Sequence, residues 1–567
     1  MWPFTGAKYP VASLAEAGTP LDHSAGKTTT YDYIIIGGGT AGCCLASRLS
    51  ENPAVSVLLL ERGPVHDAWY SRIPLISSDV TSKATPIIRS PSAPVKAADG
   101  QALDVIHAEA LGGGSSVNAM LVTRGAVGDF NHWAELGHPS WDYTSLESYF
   151  IKSEKSLNQH SDDRGYSGES ISPPAFTPSS QPDDVTTALG FANAEDMNSP
   201  TVPVDACGAM DVAINEKLQR VSSYHAFLPA NVAQDRSERL KVCTNAVATR
   251  IEFEGDLAVG VVFEANDKSV AQSFHARAAK EVIVCCGALG SPQLLLLSGI
   301  GRKEDLKAHS IDTVVNLPGV GAHLQDHVGL PLMYEVPLED TLHYAENSIR
   351  KGLFEFAKYL FNRKGMMAST VTPMAIFAHS THLIEKTAKV ISPIPSAAVG
   401  SNRPNIEIMP IAHWTSEPPP YKIRKGVFSF LLCLVQPKSL GSVRLASGDP
   451  HARPTVDLGF LNDPQDFVTL RKGTGYPMAD FQVPASEEES DVDKFIRAEI
   501  RTCYHYTSTC RMARREDGGV VNDNLEVYGV RGLRVCDASV FPCITSGHTM
   551  APVIAVAERC ADLMKSG

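Results

Sequence analysis

The sequence predicts a mixed fold. An α/β, Rossmann-like nucleotide-binding domain is interrupted along the chain by an α+β domain, which contains an antiparallel sheet flanked by helices. Three observations support this prediction. Residues 31–42 place an apolar strand before a glycine-rich turn and a helix start, and a second apolar strand ends in an acid at 57–61. Residues 240–301 contain alternating strand patterns and then a fully apolar strand. Strand and helix patterns return in 531–560.

Length and composition are those of a globular protein with two or more domains. The chain has 567 residues, of which 43% are hydrophobic and 20% charged, and its formal net charge is −13. The acidic balance argues against a nucleic-acid partner. No apolar stretch approaches the roughly 20 residues of a membrane span. The N-terminus lacks the pattern of a signal peptide, so we expect a cytoplasmic protein, with a secreted mature form as the alternative.

The cysteines are spread along the chain and do not form a metal-binding pattern. There are 12 of them, including the adjacent pairs Cys43-Cys44 and Cys285-Cys286, and C-x-x-C is absent from the sequence. Both pairs lie in apolar segments. We therefore expect reduced, mostly buried thiols and no metal site.

The first glycine-rich turn has the spacing of a dinucleotide-binding motif. Gly37, Gly39 and Gly42 fit G-x-G-x-x-G between a strand and a helix. The first glycine permits the turn, the second lets backbone approach a pyrophosphate, and the third lets the helix pack close to the strand. Glu61, at the end of the next strand, stands near the position of the acid that binds the ribose.

The rest of the chain is divided by its local patterns. A lid-like loop is predicted at 76–103, which is rich in Ser, Pro, Ala and Lys and shows little periodicity. The predicted nucleotide-binding domain comprises 28–75, 104–156, 213–330 and 496–567. The inserted substrate-binding domain comprises 157–212 and 331–495.

Within these domains several elements are predicted from periodicity. The runs 240–243, 248–253 and 258–264 alternate as antiparallel strands do. Ser291-Pro292 is predicted to start a helix, with proline in its first turn. Residues 348–362 have helical spacing, and we expect that helix to pack on a sheet. Two further strands, 428–435 and 442–445, are assigned to a second sheet.

Further motifs identify a family resemblance. The stretch 111–125 begins Leu-Gly-Gly-Gly-Ser-Ser-Val-Asn, and together with the first motif it resembles the glucose–methanol–choline (GMC) oxidoreductases, which are FAD enzymes. The segments 287–301 and 317–327 resemble further motifs of that family, and the end of the chain resembles its catalytic segment. The resemblance covers about 31–563 and is greatest to a fungal-type, aryl-alcohol-oxidase-like subgroup.

The resemblance implies non-covalent binding of FAD. Some relatives attach the flavin through a histidine just before the motif asparagine, and here that position is Val117. The residues with implied roles along the cofactor, from pyrophosphate and adenosine to the flavin, are Gly37, Gly39, Thr40, Ala41, Gly42, Glu61, Val247, Gly114, Ser115, Asn118, Ala119, Asp537, Ala538, His548, Thr549 and Met550.

Two histidines match the catalytic positions of the family. The resemblance places His505 and His548 at the reactive edge of the flavin, and histidine is a suitable base near neutral pH. His323 and His327 also fall in a family motif, where we expect a structural role. The chain departs from the family pattern at Ala110, where relatives carry a basic residue, and at Tyr506, where they carry proline. These departures leave the substrate and the reaction class open.

The first hypothesis is oxidation of a primary or secondary alcohol by hydride transfer to flavin N5, with oxygen or a quinone as the electron acceptor. The alternatives are a non-redox lyase or cyclase that retains FAD structurally, a scaffold without catalysis, and a photodecarboxylase. Intact histidines argue against the last two, and Cys433 lies two residues from the photodecarboxylase position at Val435.

The expected partner is a small alcohol, bound by a monomer or homodimer. Candidate pocket residues, which favour a hydrophobic or aromatic alcohol, are Phe377, His413, Trp414, Tyr421 and Phe428.

Overall fold

The computed structural model describes residues 9–22, 28–157, 161–172, 188–270, 272–384, 390, 403–415, 425–474 and 482–566. One sheet has eight strands. Six of them follow one another across it in the order Leu240–Cys243, Val57–Leu60, Thr30–Ile36, Ser273–Val284, Leu257–Ala265 and Ala246–Glu254. Thr19–Pro20 and Leu533–Val535 pair with the long strand Ser273–Val284.

This sheet is parallel on one side and antiparallel on the other. Thr30–Ile36 and Val57–Leu60 run parallel to each other, and the C-terminal half of Ser273–Val284 runs parallel to Thr30–Ile36. The N-terminal half of Ser273–Val284 pairs antiparallel with Leu257–Ala265. Ile34 and Ile35 are fully buried because both faces of the parallel part are covered.

A second sheet lies in the later part of the chain. Its seven strands are antiparallel except for the edge pair Ala206–Ala209 and Ala192–Ala194. In spatial order they are Arg501–Thr502, Val328–Val336, Gly426–Leu434, Ile406–Ile411, Met374–Ala378, Ala206–Ala209 and Ala192–Ala194. Two-stranded ribbons complete the described strands: Ile87–Pro91 with Asp104–Ala108, Leu121–Val122 with Asp211–Val212, Glu154–Ser156 with Ser170–Ser172, Ile300–Gly301 with Val315–Asn316, and Ser442–Arg444 with Thr455–Asp457.

The helices cover the sheets and close the domain ends. The described α-helices are Leu14–Ala17, Thr40–Leu49, Pro74–Ser77, Val127–Glu135, Tyr143–Ser153, Ser223–Phe227, Ala230–Asp235, Gly287–Leu297, Lys303–Ala308, His343–Glu346, Ile349–Ala357, Pro464–Thr474, Glu489–Glu499 and Met550–Ser566. The helix Thr40–Leu49 is buried over most of its length because Met550–Ser566 packs against it. A buried ion pair, Arg48 to Glu558 at 2.6 Å, joins the two helices. Taken over the described residues, no helix combines the length and the apolarity needed to cross a bilayer.

Several predicted elements differ from the structure. The strand Leu240–Cys243 is parallel to Val57–Leu60, because it joins the edge of the eight-stranded sheet beside that strand and does not pair with its sequence neighbours. The helix predicted at Ser291 begins instead at Gly287, which leaves Pro292 inside it. Proline cannot donate to the carbonyl four residues earlier, that of Ala288, and the hydroxyl of Thr509 donates to that oxygen at 2.7 Å.

The helix expected at 348–362 exists, but it does not pack on a sheet. It comprises Ile349–Ala357 and a π-helical continuation, Lys358–Asn362, and several of its apolar side chains face solvent. The predicted loop 76–103 contains the strand Ile87–Pro91.

The predicted division into domains stays a prediction, with two differences in detail. Val328–Val336 crosses the proposed boundary at 330, and Arg501–Thr502, placed by the sequence in the nucleotide-binding part, belongs to the second sheet. Among the described strands, the predicted strand at 442–445 pairs with Thr455–Asp457 and lies outside the seven-stranded sheet. All 12 cysteines are free thiols, and most are buried.

Candidate active site

One cavity of about 1130 Å³ runs from the glycine-rich turn at the first sheet to the inner face of the second. It collects nearly every residue that the sequence singled out. The predicted site residues that line it are Gly37, Gly39, Thr40, Ala41, Glu61, Gly114, Ser115, Asn118, Ala119, Val247, His505, Asp537, Ala538, His548, Thr549 and Met550. Gly42 does not line the cavity and packs behind the turn.

The three glycines of the first motif have different local environments. Gly37 has φ +104°, a left-handed conformation that favours glycine. A Cβ on Gly42 would lie 1.9 Å from the carbonyl oxygen of Gly37, so only glycine lets the helix start this close to the strand. A Cβ on Gly39 would meet no heavy atom nearer than 3.9 Å, because this backbone faces the cavity.

Glu61 is fixed by backbone amides at the same end of the cavity. Gly38 N–H and Gly63 N–H each donate to its carboxylate at 2.7 Å. Burial raises the pKa of Glu61 to about 7, against the effect of these two hydrogen bonds. The carboxylate is therefore positioned to accept hydroxyl hydrogen bonds from a ligand at this end of the cavity.

Asn118 is held by an arginine that the sequence analysis did not single out. The buried guanidinium of Arg220 donates to the side-chain oxygen of Asn118 at 2.8 Å and to the carbonyl of Ser115 at 3.0 Å. It also donates to the hydroxyls of Ser77 and Ser78 and to the Asn118 carbonyl, and all of these acceptors are neutral. Burial lowers the pKa of Arg220 to about 9. Arg220 thus places a positive charge directly behind the cavity wall.

Asp537 uses its carboxylate within the protein. It accepts hydrogen bonds from Gly287 N–H at 2.9 Å and Ser539 N–H at 2.8 Å, and from the hydroxyl of Ser291. These contacts tie the last strand of the first sheet to the start of the helix Gly287–Leu297. Asp537 and Ala538 therefore form a fixed wall of the cavity.

His505 and His548 face each other in the cavity. Their ring centroids are 5.0 Å apart and their planes lie at 86°. Tyr504 and Ser508, on either side of His505, adopt left-handed φ values of 62° and 70°. Such conformations in residues other than glycine are typical of functional sites. The main-chain N–H of His505 is held at 2.7 Å by Asp326, a buried acid.

Hydrogen bonds determine which nitrogen of His505 carries the proton. The Nε2 of His327 lies 2.9 Å from the carbonyl oxygen of Thr545, which can only accept, so Nε2 carries the hydrogen. The Nδ1 of His327 is then an acceptor, and it lies 2.9 Å from Nδ1 of His505. His505 must therefore donate from Nδ1, which leaves its Nε2 with a free lone pair.

Burial keeps the imidazole rings of His505 and His327 neutral. Burial, and next the neighbouring rings of His327 and His548, hold the pKa of His505 well below its ordinary range. Burial likewise lowers the pKa of His327 to about 3. A neutral His505 is available as a base.

His548 is oriented by an acid from the second sheet. Its Nε2 lies 3.0 Å from the carboxylate of Glu407, which is almost completely buried on the strand Ile406–Ile411. Its main-chain N–H donates to the hydroxyl of Thr123 at 2.6 Å. A Cβ on Gly547 would lie 2.5 Å from that hydroxyl oxygen, so glycine is needed where the chain turns into His548.

The lining of the cavity that contains the two histidines is mostly apolar. Glu407, Met409 and Ile411 alternate along one strand, and the last two line the cavity. Other apolar or aromatic residues of this part are Met366, Met367, Val371, Trp414 and Leu431.

The predicted pocket residues are only partly correct. His413 and Trp414 line the cavity, whereas Phe377 and Phe428 do not, and Tyr421 lies outside the described residues. Phe377 is buried in the core instead. The role expected for His327 was incomplete, because this residue also fixes the ring of His505. The alternation from Glu407 was a signal in the sequence that could have located Met409 and Ile411.

Within the described parts of the chain, His343, Glu346 and His413 form the one group with metal-ligand spacing. Trp414 N–H donates to Nε2 of His343 at 3.1 Å, so Nδ1 carries the hydrogen that binds Glu346 at 2.8 Å. Burial lowers the pKa of His413, but the hydrogen bond to Glu346, the charge of that acid and the hydrogen bond to the Trp414 carbonyl together raise it above its ordinary value. These nitrogens are thus committed to hydrogen bonds, and the group is a hydrogen-bonded network at the cavity.

Comparison with known sequences identifies the protein family. A family model described as GMC oxidoreductase matches residues 31–329, and a second model of the same description matches 437–557. The chain belongs to the GMC oxidoreductase family. The predicted family is therefore confirmed, and the resemblance to the aryl-alcohol-oxidase-like subgroup stays a prediction.

Relatives and solved structures agree with this membership. The chain is 32% identical to an alcohol dehydrogenase (acceptor) of Pseudomonas putida, over 94% of this chain and 95% of that protein. It is 31% identical to the mitochondrial choline dehydrogenase of Homo sapiens, over 94% and 90% of the two chains. A formate oxidase structure from Aspergillus oryzae superposes with TM-score 0.82 at 25% identity, covering 95% and 98%. A fungal aryl-alcohol oxidase shares the fold, with TM-score 0.79 at 23% identity over 95% and 99%.

These comparisons confirm the predicted fold class, the FAD cofactor and an oxidoreductase that acts on CH–OH groups. The residues present fit FAD. A Cβ on Gly114 would meet no heavy atom within 4 Å and one on Gly39 would meet only distant backbone, so both glycines leave room in the cavity for a closely bound cofactor. The backbone at Gly39 would hold the pyrophosphate, Glu61 the ribose, and Asn118 and Ala538 the flavin.

Proposed function

We propose that this enzyme oxidises an apolar primary or secondary alcohol to the carbonyl compound, with His505 as the base. The observation that carries the proposal is the hydrogen-bond chain from the Thr545 carbonyl through His327 to Nδ1 of His505. That chain presents the unprotonated Nε2 of a neutral histidine at the cavity. A hydroxyl is a suitable partner for this nitrogen.

In the proposed reaction Nε2 of His505 takes the hydroxyl proton of the alcohol. His548, whose Nε2 contacts Glu407, faces the substrate oxygen from the other side. FAD, when bound, supplies the acceptor for the hydride from the carbinol carbon, and oxygen or a quinone accepts the electrons afterwards. His505 retains the proton while the carbonyl forms, so the charge that develops on oxygen is neutralised at the site.

The lining of the cavity supports an apolar substrate. Methionine and aliphatic side chains line much of this cavity, and Met366, Met367 and Met409 can adapt to ligands of different shape. Cys433, which the photodecarboxylase alternative requires near the flavin, does not line the cavity, and its sulfur contacts that of Cys503 at 3.5 Å. This contact supports the role of a core thiol.

Anaerobic mixing with candidate alcohols tests the proposed reaction class. We expect apolar alcohols to bleach the flavin absorbance in a single turnover and to yield one carbonyl product per flavin. The matching alkanes and carboxylic acids serve as controls and should leave the spectrum unchanged. A protein that converts its substrate without bleaching the flavin would be the non-redox lyase or cyclase, with the histidines acting only in proton transfer.

We also expect FAD to be bound non-covalently. Val117, which lines the cavity where some relatives carry the attachment histidine, offers no atom that can form the bond. Precipitation of the protein with acid should therefore release all of the yellow flavin into the supernatant. A coloured, fluorescent pellet after washing would contradict this expectation. Mass spectrometry of the denatured chain provides the control, since it should give the mass of the polypeptide alone.

A further inference from the structure

The segment 349–361 exposes an apolar face that the fold leaves uncovered. Ile349 is 84% exposed, Leu353 62%, Phe354 57% and Phe361 83%. No other large hydrophobic side chain in the described part of the chain exceeds the 47% of Val270. The four most exposed apolar residues thus belong to one helix and its π-helical continuation. A cluster of this kind marks an interaction surface, because single exposed apolar residues are scattered on ordinary surfaces.

The same segment is locally basic in an acidic protein. The chain carries a net charge of −13, yet residues 349–364 contain one acid, Glu355, and five basic residues, Arg350, Lys351, Lys358, Arg363 and Lys364. Glu355 is buried and paired with Lys358 at 2.6 Å, so its charge does not offset the rest of the group. Apolar side chains flanked by cations are the pattern of helices that lie in the interface of anionic membranes.

Two neighbouring features extend this surface. Trp69 packs against Phe356 at a ring distance of 5.7 Å and is partly exposed, and tryptophan favours the boundary between apolar and aqueous phases. Gly352, on the same helix, lines the cavity that contains His505, as do Met366 and Met367 after the helix. The helix that carries the apolar face therefore adjoins the cavity.

We propose that the 349–361 apolar face docks this protein on the surface of an anionic lipid bilayer. The helix would lie in the plane of the interface, with Ile349, Leu353, Phe354 and Phe361 among the acyl chains and the basic residues at the lipid phosphates. The attachment is peripheral and reversible.

A second copy of the chain fits this face less well. The four apolar side chains expose on the order of 500 Å² together, below the roughly 800 Å² per partner of a stable interface. In a two-fold symmetric dimer the same patch meets itself, so basic residues such as Arg350 and Lys364 would face the same basic residues of the second copy. A bilayer with negative headgroups has the complementary charge and presents no limit of area.

Docking would give the cavity access to alcohols dissolved in the membrane. This consequence rests on the proposed function, because it assumes that the cavity takes an apolar alcohol. The docking proposal itself does not rest on the proposed function, since vesicle binding is measured without a substrate. Failure of the two proposals can therefore be told apart.

Co-sedimentation of the FAD-loaded full chain with lipid vesicles tests the proposal. The wild type should pellet with vesicles of phosphatidylcholine and phosphatidylserine, and more weakly with phosphatidylcholine alone. The double variant Ile349→Glu/Phe361→Glu should reduce the partition coefficient by at least about 100-fold, since two apolar side chains leave the acyl region. Arg350→Gln/Lys364→Gln should reduce binding to the anionic vesicles roughly 10–30-fold and leave binding to neutral vesicles unchanged.

The matched control is Leu136→Glu/Val270→Glu, which makes the same substitution at two exposed apolar positions outside the segment. It should bind vesicles within about twofold of the wild type. Each variant should retain its FAD and its melting temperature, which shows that the fold is intact. Wild-type protein that stays in the supernatant with anionic vesicles overturns the proposal. The proposal is also overturned if the wild type is a dimer that binds no vesicles and the Ile349→Glu/Phe361→Glu variant is a monomer.

Discussion

His505→Ala should slow flavin reduction by the alcohol about 10²–10⁴-fold while the protein keeps its FAD, as expected when a positioned general base is removed. The lone pair of Nε2 is lost, and water in an apolar cavity is a poor substitute. Stopped-flow absorbance under anaerobic conditions measures this step directly. His132→Ala, at a partly exposed histidine on the helix Val127–Glu135, is the matched control and should leave the rate unchanged.

Variants of His327 separate positioning from general loss of structure. A glutamine can donate to the Thr545 carbonyl and accept from Nδ1 of His505, as the imidazole does. His327→Gln should therefore retain much more of the rate than His327→Ala, in which His505 can adopt the wrong tautomer. Equal losses in the two variants would contradict the proposed role of His327 in orienting His505.

The pH profile of the same step has a definite sign. Burial, and next the rings of His327 and His548, hold the pKa of His505 below its ordinary value, and the neutral ring is the base. Flavin reduction should thus stay fast as the pH falls through about 6.5, the usual histidine pKa, and should decline only at clearly lower pH. A midpoint at or above 6.5, or wild-type rates in His505→Ala, would show that His505 is not the base.

Gly39→Val should abolish FAD retention without unfolding the protein. The added side chain would enter the cavity where backbone approaches the pyrophosphate, yet its Cβ has no protein atom nearer than 3.9 Å. The extended conformation at this residue, φ −76° and ψ −160°, also accommodates valine. The measurement is the ratio of flavin to protein absorbance after gel filtration, with far-ultraviolet circular dichroism to assess the fold.

Gly42→Ala provides the contrast for Gly39→Val. Its Cβ would lie 1.9 Å from the Gly37 carbonyl oxygen, so the helix must move away from the strand. We expect a folding defect that lowers the yield of soluble protein and the melting temperature. A Gly39→Val protein that keeps stoichiometric FAD, or that aggregates as Gly42→Ala does, would contradict the separate roles assigned to these two glycines.

Local sequence patterns were sufficient where a local requirement specifies a residue type. Gly37 and Gly42 meet local requirements of backbone conformation and close packing, and Gly39 leaves room for a ligand, so the turn, the helix start and the cofactor-binding end of the cavity could be predicted together. The helix at 349–362 was predicted from its 3.6-residue spacing, but the spacing does not reveal what covers the apolar face. Its exposure became visible only when the neighbouring elements were in place.

The sequence by itself determined the nucleotide-binding turn, the family and the two histidines of the site, because each depends on residues close together in the chain or on motifs in a fixed order. Only the tertiary structure decided which groups control those histidines. His327 and His505 are in contact although 178 positions separate them in the sequence, and Glu407 and His548 are in contact across a separation of 141 positions. Arg220 is 102 positions from Asn118. Contacts between distant segments depend on how the two sheets pack together, and local periodicity carries no information about that packing.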